Sequence, residues 1–320
     1  MTDRAVDVSV VICAYTEERW DHLLQAIESV ERQSTRPREL IVAIDHNARL
    51  RSRLEATGKD VRIIDSSGPK GKSGALNTAI AAAHGSVIAL LDDDAAAEPT
   101  WLAELVRGYE DDDVLGVGGY LEPVWPGRRP SWFPEEFLWV LGCTYRGMPR
   151  DRAIVRNLIG ANMSFRRDVF LEAGGSRDGL GPNGTALVGA ARAEDTEFCI
   201  RASARWPDRV WVYEPRARAR HHVPPSRARW SYFSSRCYVE GLSKALLADV
   251  AGVRDGLAAE RRYTFVTLPL GVLRGFGEAI FRLDPGGIAR SAAIVAGLAI
   301  TTAGYVRGAM ALRRSVATST

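Results

Sequence analysis

The chain has 320 residues, 46% apolar and 25% charged, enough for one large α/β domain with an appendage or for two modest domains. That composition excludes a disordered or low-complexity chain, and a formal net charge of only +3 gives no reason to expect a nucleic-acid partner. Four cysteines, Cys13, Cys143, Cys199 and Cys237, match neither a zinc spacing nor a C-x-x-C pair and read as small core residues of a reduced compartment. The N-terminus is polar and lacks an apolar signal core, so a cytoplasmic location is expected. Charge is unevenly spread: residues 201–236 hold nine arginines against Asp208 and Glu214. Such a stretch suits either a solvated face or a surface for phosphates and anionic headgroups.

In chain order, residues 8–14 form an apolar, β-branched run suited to a strand buried on both faces. Leu23, Leu24, Ile27 and Val30 follow at helical spacing, then buried runs at 40–44, 61–64 and 86–91. Leu76, Ala79, Ile80 and Ala83 mark a helix before the fourth run, and Leu102, Leu105, Val106 and Tyr109 mark one after it. Strands alternating with helices predict a doubly wound, mostly parallel α/β sheet, with ligands at the carboxyl ends of its strands. Residues 114–121 read as a further strand. Residues 125–149 are rich in proline, glycine and aromatics, and 154–165 are apolar save for Asn162. The glycine-dense stretch 174–189 is long enough for a lid. Toward the end, 263–281 is apolar around Arg274 and Glu278. Residues 291–306 lack charge but, at 16, fall short of the roughly 20 that a spanning helix needs.

The most informative feature is Ala89-Leu90-Leu91-Asp92-Asp93-Asp94, a buried strand that ends in three carboxylates. Adjacent like charges raise one another's pKa unless a cation is present, and hard divalent ions such as Mn2+ or Mg2+ take oxygen ligands shared with phosphates. On extended backbone Asp92 and Asp94 point to one side, and Asp93 is expected to turn toward a ribose or sugar. Polar groups also follow the first strand at Tyr15-Thr16-Glu17-Glu18, and Asp45 ends the second. Lys70-Gly71-Lys72-Ser73-Gly74-Ala75-Leu76-Asn77 opens a helix with a lysine placed for a diphosphate. It is not a P-loop, because only two residues separate Gly68 from Gly71 where four are required.

Together these segments resemble family 2 of the inverting glycosyltransferases, which use the GT-A fold. The resemblance continues through Gly160-Ala161-Asn162-Met163-Ser164-Phe165-Arg166-Arg167 and Glu194-Asp195-Thr196-Glu197-Phe198, so it covers about residues 6–222. It implies a donor-binding set of Ala14, Tyr15, Glu17, Asp45, Lys72, Asn77, Asp92, Asp93 and Asn162. Tyr15, Glu17 and Asp45 would line the nucleoside pocket, and Lys72 would face the diphosphate. Asp92 and Asp94 would form the D-x-D metal site, with His221 or His222 completing the shell. Asp195 would be the catalytic base, with Glu194 its alternative. Arg227-Ala228-Arg229-Trp230 lacks the glutamine of the family's processive Gln-x-x-Arg-Trp segment, which argues against a polymerising synthase. Trp132-Phe133-Pro134-Glu135-Glu136-Phe137 and Gly142-Cys143-Thr144-Tyr145-Arg146-Gly147 resemble a subgroup that includes glucuronosyltransferases acting on polyprenyl-phosphate-linked sugars.

The reading is therefore a GT-A domain over 1–225, with a donor half at 6–120 and an acceptor half at 121–225. A helical, membrane-associating segment would fill 226–320. The expected activity is metal-dependent transfer of one sugar, hexosyl or glucuronosyl, from a nucleotide-sugar, expected to be UDP-linked, to a lipid-linked or other hydrophobic acceptor at the inner face of the cell membrane. Arg274, Glu278 and Arg282 share one helical face, expected to meet headgroups. A chain ending near Asp255 is expected to be soluble with its donor site intact. A nucleotidyltransferase making a nucleotide-sugar would need a glycine- and arginine-rich loop where Tyr15-Thr16-Glu17-Glu18 stands. A non-catalytic sugar-nucleotide-binding module would not need Asp92, Asp94 and Asp195.

Overall fold

The computed structural model describes residues 6–177, 194–251 and 261–317, so most of the glycine-dense stretch expected as a lid lies outside the described residues. The chain divides into two compact units. The first takes in residues up to Glu122, a second piece from Pro149, and Glu194–His222; the second takes in Pro123–Met148 and the chain from Val223 onward.

The first unit is built on nine strands: β1 (Val8–Ala14), β2 (Glu39–Ile44), β3 (Arg62–Asp65), β4 (Val87–Leu91), β5 (Ala95–Ala97), β6 (Val114–Val124), β7 (Ala153–Val155), β8 (Asn162–Arg166) and β9 (Val210–His222). Their order is β3-β2-β1-β4-β8-β6-β9-β5, with β7 on β9. The four strands of the donor half pair in parallel, as their apolar runs predict. Beyond β4 the sheet turns antiparallel, where β8 pairs with β4 and β6. It is thus a mixed sheet rather than a mostly parallel one. Antiparallel neighbours need no crossover helix, so the second half lacks the strand–helix alternation that reveals the first.

Helix α1 (Trp20–Glu31) buries Leu23, Ala26, Ile27 and Val30, and α3 (Lys72–Ala82) buries Ala75, Leu76, Ala79 and Ile80. Both are stripes at helical period. Between them in sequence lies α2 (Ala48–Glu55); α4 (Trp101–Val106), α5 (Arg167–Glu172) and α6 (Glu194–Arg205) follow. Phe198 and Ala202 of α6 join the core with Phe165, Phe170 and Trp211. Phe165 stacks on Phe170 at 5.1 Å, and Phe198 meets Trp211 edge-on at 5.6 Å.

At the amino end of the parallel strands Glu39 forms a polar clasp. It accepts from Ser9 Oγ on β1 at 2.7 Å, from the His84 N–H at 2.7 Å and from Arg62 on β3 at 2.9 Å. Desolvation opposes the charge, but these donors outweigh it and pull the carboxyl down to about 2. The ligand-binding ends of the strands lie at the opposite edge.

The second unit holds α7 (Trp230–Ala251), α8 (Leu268–Phe281) and α9 (Gly286–Ala317). Phe233 of α7 packs among Trp132, Phe133 and Phe137 with centroids 5.3–5.5 Å away. α9 lies so close to α7 that a Cβ on Gly304 would sit 2.2 Å from the Tyr238 carbonyl oxygen. The uncharged window 291–306 is thus the middle of a 32-residue helix. Arg290 and Arg307 do not end it, because arginine is a good helix former. Tyr263–Phe281 and Gly286–Arg313 are each long and apolar enough to cross a membrane.

Two charged residues of α8, Arg274 and Glu278, turn onto protein rather than outward, while Arg282 stays exposed. Arg274 donates to Glu136 at 2.9 Å, and Glu278 accepts from Arg290 at 2.6 Å. The face left exposed is apolar, carrying Leu270, Leu273, Phe276 and Ile280. Part of the basic stretch is likewise neutralised. Arg216, Arg218 and Arg220 alternate along β9 and face Glu104 and Glu214, Glu98 and Glu122, and Glu98 respectively.

Candidate active site

The carboxyl ends of β1, β2 and β4 converge in the first unit. After β4 the backbone turns within Asp92-Asp93-Asp94, closed by the Ala95 N–H donating to the Asp92 carbonyl at 3.0 Å, and enters β5. Ala95 pairs with His221 of β9, which carries the histidine to the acidic turn. One ligand atom each from Asp92, Asp94 and His221 lies within 4.8 Å of the others. His221 Nε2 stands 3.2 Å from Asp94 Oδ1, and both side chains are almost wholly buried. Two carboxylate oxygens and an imidazole nitrogen held this closely are a donor set suited to Mn2+ or Mg2+.

Lys72, at the first position of α3, reaches Asp92 Oδ1 with its Nζ at 2.7 Å. Desolvation opposes the ammonium, but Asp92 and Asp195 outweigh it and hold its pKa above the ordinary range. Asp195 sits in the first turn of α6 beside Glu194. Its Oδ2 accepts from the Gly160 N–H at 3.1 Å. A side chain at Gly160 has no room there: a Cβ would lie 2.1–2.3 Å from the Asp195 carboxyl atoms. Burial raises the Asp195 pKa; Lys72 pulls it down and Asp92 pushes it up. That coupling places the carboxylate within electrostatic reach of the D-x-D turn.

On the nucleoside side Ala14 is buried and its carbonyl accepts from the Asp45 N–H at 2.8 Å. Asp45 Oδ2 accepts from the Gly71 N–H at 3.0 Å, which ties the second strand to the loop before α3. Tyr15 is 53% exposed with the Arg19 guanidinium 5.4 Å from its ring centroid, and Glu17 lies 3.6 Å from Arg49.

The chain is similar to known proteins over most of its length. The sequence pattern described as Glycosyl transferase family 2 covers residues 9–174. The chain belongs to that family. A glucosyl-dolichyl phosphate glucuronosyltransferase of Haloferax volcanii is 36% identical over 244 residues, which is 75% of this chain and 77% of the relative. A mannosyltransferase from Pyrobaculum calidifontis, solved with GDP-Man and Mn2+, aligns with a TM-score of 0.55 at 18% identity over 93% of this chain and 89% of that one. GalNAc-T7, solved with UDP, GalNAc and Mn2+, aligns with a TM-score of 0.51 at 14% identity over 88% of this chain and 59% of that one. These two alignments show the GT-A fold. This protein is a family 2 glycosyltransferase.

Four expected site residues of the glycosyltransferase have protein partners in the structure. Asp93 turns inward, not toward a sugar: it is 4% exposed and accepts from Arg19 at 2.6 Å. Burial, with Asp94 and Asp92 adding and Arg19 opposing, lifts its carboxyl to about 6. Asn162 has no exposed surface; it accepts from the Trp101 indole at 2.7 Å and donates to the Tyr120 and Ala217 carbonyls at 3.0 Å. It is a framework residue because every donor it has is taken. Asn77 brackets the backbone of Ser176, giving to its carbonyl and taking from its N–H at 2.8 Å each. His222 leaves the metal cluster for His22, with ring centroids 4.2 Å apart, since neighbours on a strand face opposite ways. Arg19, which touches Asp93 and also Asp94 at 3.1 Å, escaped the sequence reading. Its only local signal is its place at the end of the Glu17–Arg19 turn.

Proposed function

We propose that this glycosyltransferase moves one sugar, by inverting single displacement, from a UDP-linked donor to a lipid-linked acceptor at the inner face of a membrane. The observation that carries the reading is that Lys72 Nζ lies 2.7 Å from Asp92 Oδ1, beside ligand atoms of Asp92, Asp94 and His221 that stand within 4.8 Å of one another. In this reading Asp92, Asp94 and His221 hold a divalent metal. When bound, the metal neutralises charge on the leaving diphosphate. Lys72 stabilises the same charge, and its present partner Asp92 is close enough to share it. Asp195 takes the proton of the acceptor hydroxyl as that oxygen bonds to the anomeric carbon and the bond to the diphosphate breaks. A raised pKa suits this role, since it makes the carboxylate a stronger base. The Gly160 N–H orients the carboxyl.

The acceptor class is supported by the Haloferax relative, which by its name acts on glucosyl-dolichyl phosphate, and by the two apolar helices near the C-terminus. We assign residues 1–225 to the transferase domain and 226–320 to membrane association. The test is a donor screen on detergent-solubilised protein with UDP-glucuronate, UDP-glucose and GDP-mannose, reading nucleotide diphosphate release with and without a polyprenyl-phosphate-linked sugar. Release stimulated by the lipid with one UDP-sugar supports the reading. Activity confined to GDP-mannose, or indifferent to the lipid, contradicts it.

A further inference from the structure

We propose that an arginine-rich cavity takes the phosphate group of the lipid-linked acceptor, with Arg282 as its uncommitted cation; this rests on the lipid-acceptor reading above. The cavity, about 210 Å3, lies wholly within the second unit. Its lining carries five guanidiniums, from Arg129, Arg146, Arg274, Arg282 and Arg290, against four carboxylates. Arg129 and Arg146 share Glu135, and Arg274 donates to Glu136 at 2.9 Å. Arg290 reaches both Glu278 and Asp284 at 2.6 Å. Arg282 has no carboxylate partner among the described residues, which leaves the lining one positive charge in excess. The phosphodiester of a lipid-linked sugar is singly negative.

The ion pairs do not exhaust the donors. A guanidinium offers five N–H groups in a rigid fork, and Arg274 spends one on Glu136. Glu136 is 3% exposed, so the Arg274 head is held by a buried anchor and loses little freedom when a further oxygen arrives. Phosphate, with several acceptor oxygens and a delocalised charge, matches that geometry.

The surroundings select a lipid over a soluble anion. Arg274 and Glu278 on α8, and Arg282 just past its end, recur every four residues and line the cavity. The other side of the helix exposes Leu270, Leu273, Phe276 and Ile280. One helix therefore presents phosphate chemistry and a bare apolar face together, which is the chemistry of an isoprenyl phosphate. A network serving only to pin α8 would have no use for an unpaired arginine at its rim.

The test uses the full chain in detergent micelles and farnesyl phosphate as the probe. Wild type is expected to bind it more tightly than farnesol, which lacks the phosphate, or inorganic phosphate, which lacks the chain. Arg282→Gln should weaken farnesyl phosphate binding by about tenfold or more, with an unchanged melting temperature. Arg282→Lys should recover part of the loss, because the charge returns without the fork. Unchanged binding by Arg282→Gln overturns the assignment. So does an equal loss of binding to phosphatidylglycerol vesicles, which would mark a general headgroup site. Wild type that transfers sugar only to water-soluble acceptors and ignores farnesyl phosphate overturns the lipid-acceptor reading as well. Transfer to a lipid acceptor with an unaltered KM in Arg282→Gln overturns this inference alone.

Discussion

His221 Nε2 meets Asp94 Oδ1 at 3.2 Å, a contact made between the end of β9 and the turn that leaves β4. The next residue, His222, faces away onto His22. The pair therefore separates a metal role from a general effect of histidine at this edge. Chelation should abolish transfer and Mn2+ should restore it. His221→Ala should raise the Mn2+ needed for half-maximal activity by roughly tenfold or more, as loss of even a supporting partner does at such sites. His222→Ala should leave that requirement unchanged. A metal titration of both variants decides, and equal effects would count against the assigned ligand set.

Asp195 must be ionised to accept a proton, and burial raises its pKa above the ordinary carboxylate value of 3.8. As pH falls, kcat should therefore begin to drop above the usual carboxylate range. Asp195→Asn should lower kcat by about 10²–10⁴-fold with donor affinity nearly unchanged. Gly160→Ala should mimic part of that loss, because the new methyl would push the carboxyl aside, and a misplacement of about 1 Å can cost on the order of 10²-fold. Near-normal kcat in Asp195→Asn would leave the residue a helix-terminal carboxylate and move attention to Glu194.

Glu39 tests the opposite edge of the sheet. Its folded pKa of about 2 lies below the ordinary glutamate value of 4.5, so its clasp stabilises the fold fully above 4.5. The contribution is lost as pH falls through the interval between the two. Glu39→Gln should melt at a lower temperature at neutral pH, with the two melting curves converging toward pH ~2. A constant gap between them across the acid range would show that the ion pairs with Arg62 and His84 are not the source.

Removing the chain after Asp255 should not give a well-behaved soluble enzyme. Leu246 of α7 packs against Leu312 of α9, and Gly304 lies against the Tyr238 carbonyl. Truncation would bare Leu242, Ala245 and Leu246 along α7. Size-exclusion chromatography without detergent should show aggregation, and a monodisperse peak would mean that α7 finds other cover.

The parallel half and the acidic turn were legible because both are local patterns: a buried run followed by charge tells where a strand stops and what stands at its end. The sharing of a cluster by Asp92 and Asp94 was expected from extended backbone, whereas the three acids stand in a turn; only the presence of charge at the strand end follows from the local pattern. What Asp93 meets does not, since Arg19 lies far away in sequence. Choosing between His221 and His222 requires knowing which face of β9 turns inward, and that is decided by its pairing with β5. Asn162 and Asn77 look like ligand-binding residues in a sequence because amides serve both uses; only their partners, filling both donors of Asn162 and tying Asn77 to the Ser176 backbone, reveal the framework contacts. The inward turn of Arg274 and Glu278 was hidden for a related reason, as their partners Glu136 and Arg290 sit on other segments.

The aromatic packing behind α6 has a practical consequence for anyone screening variants. Asp195 stands on the first turn of a helix whose later turns, through Phe198, Cys199 and Ala202, are set into the core against Phe165, Phe170 and Trp211. A smaller residue at Phe198 or Trp211 would let that helix settle by a fraction of an ångström and carry the carboxylate with it, while most of the sheet stayed folded. Assays that score turnover alone would then file such substitutions with the chemical knockouts. Pairing each turnover measurement with a melting curve and a donor-binding constant would separate a displaced base from a missing one.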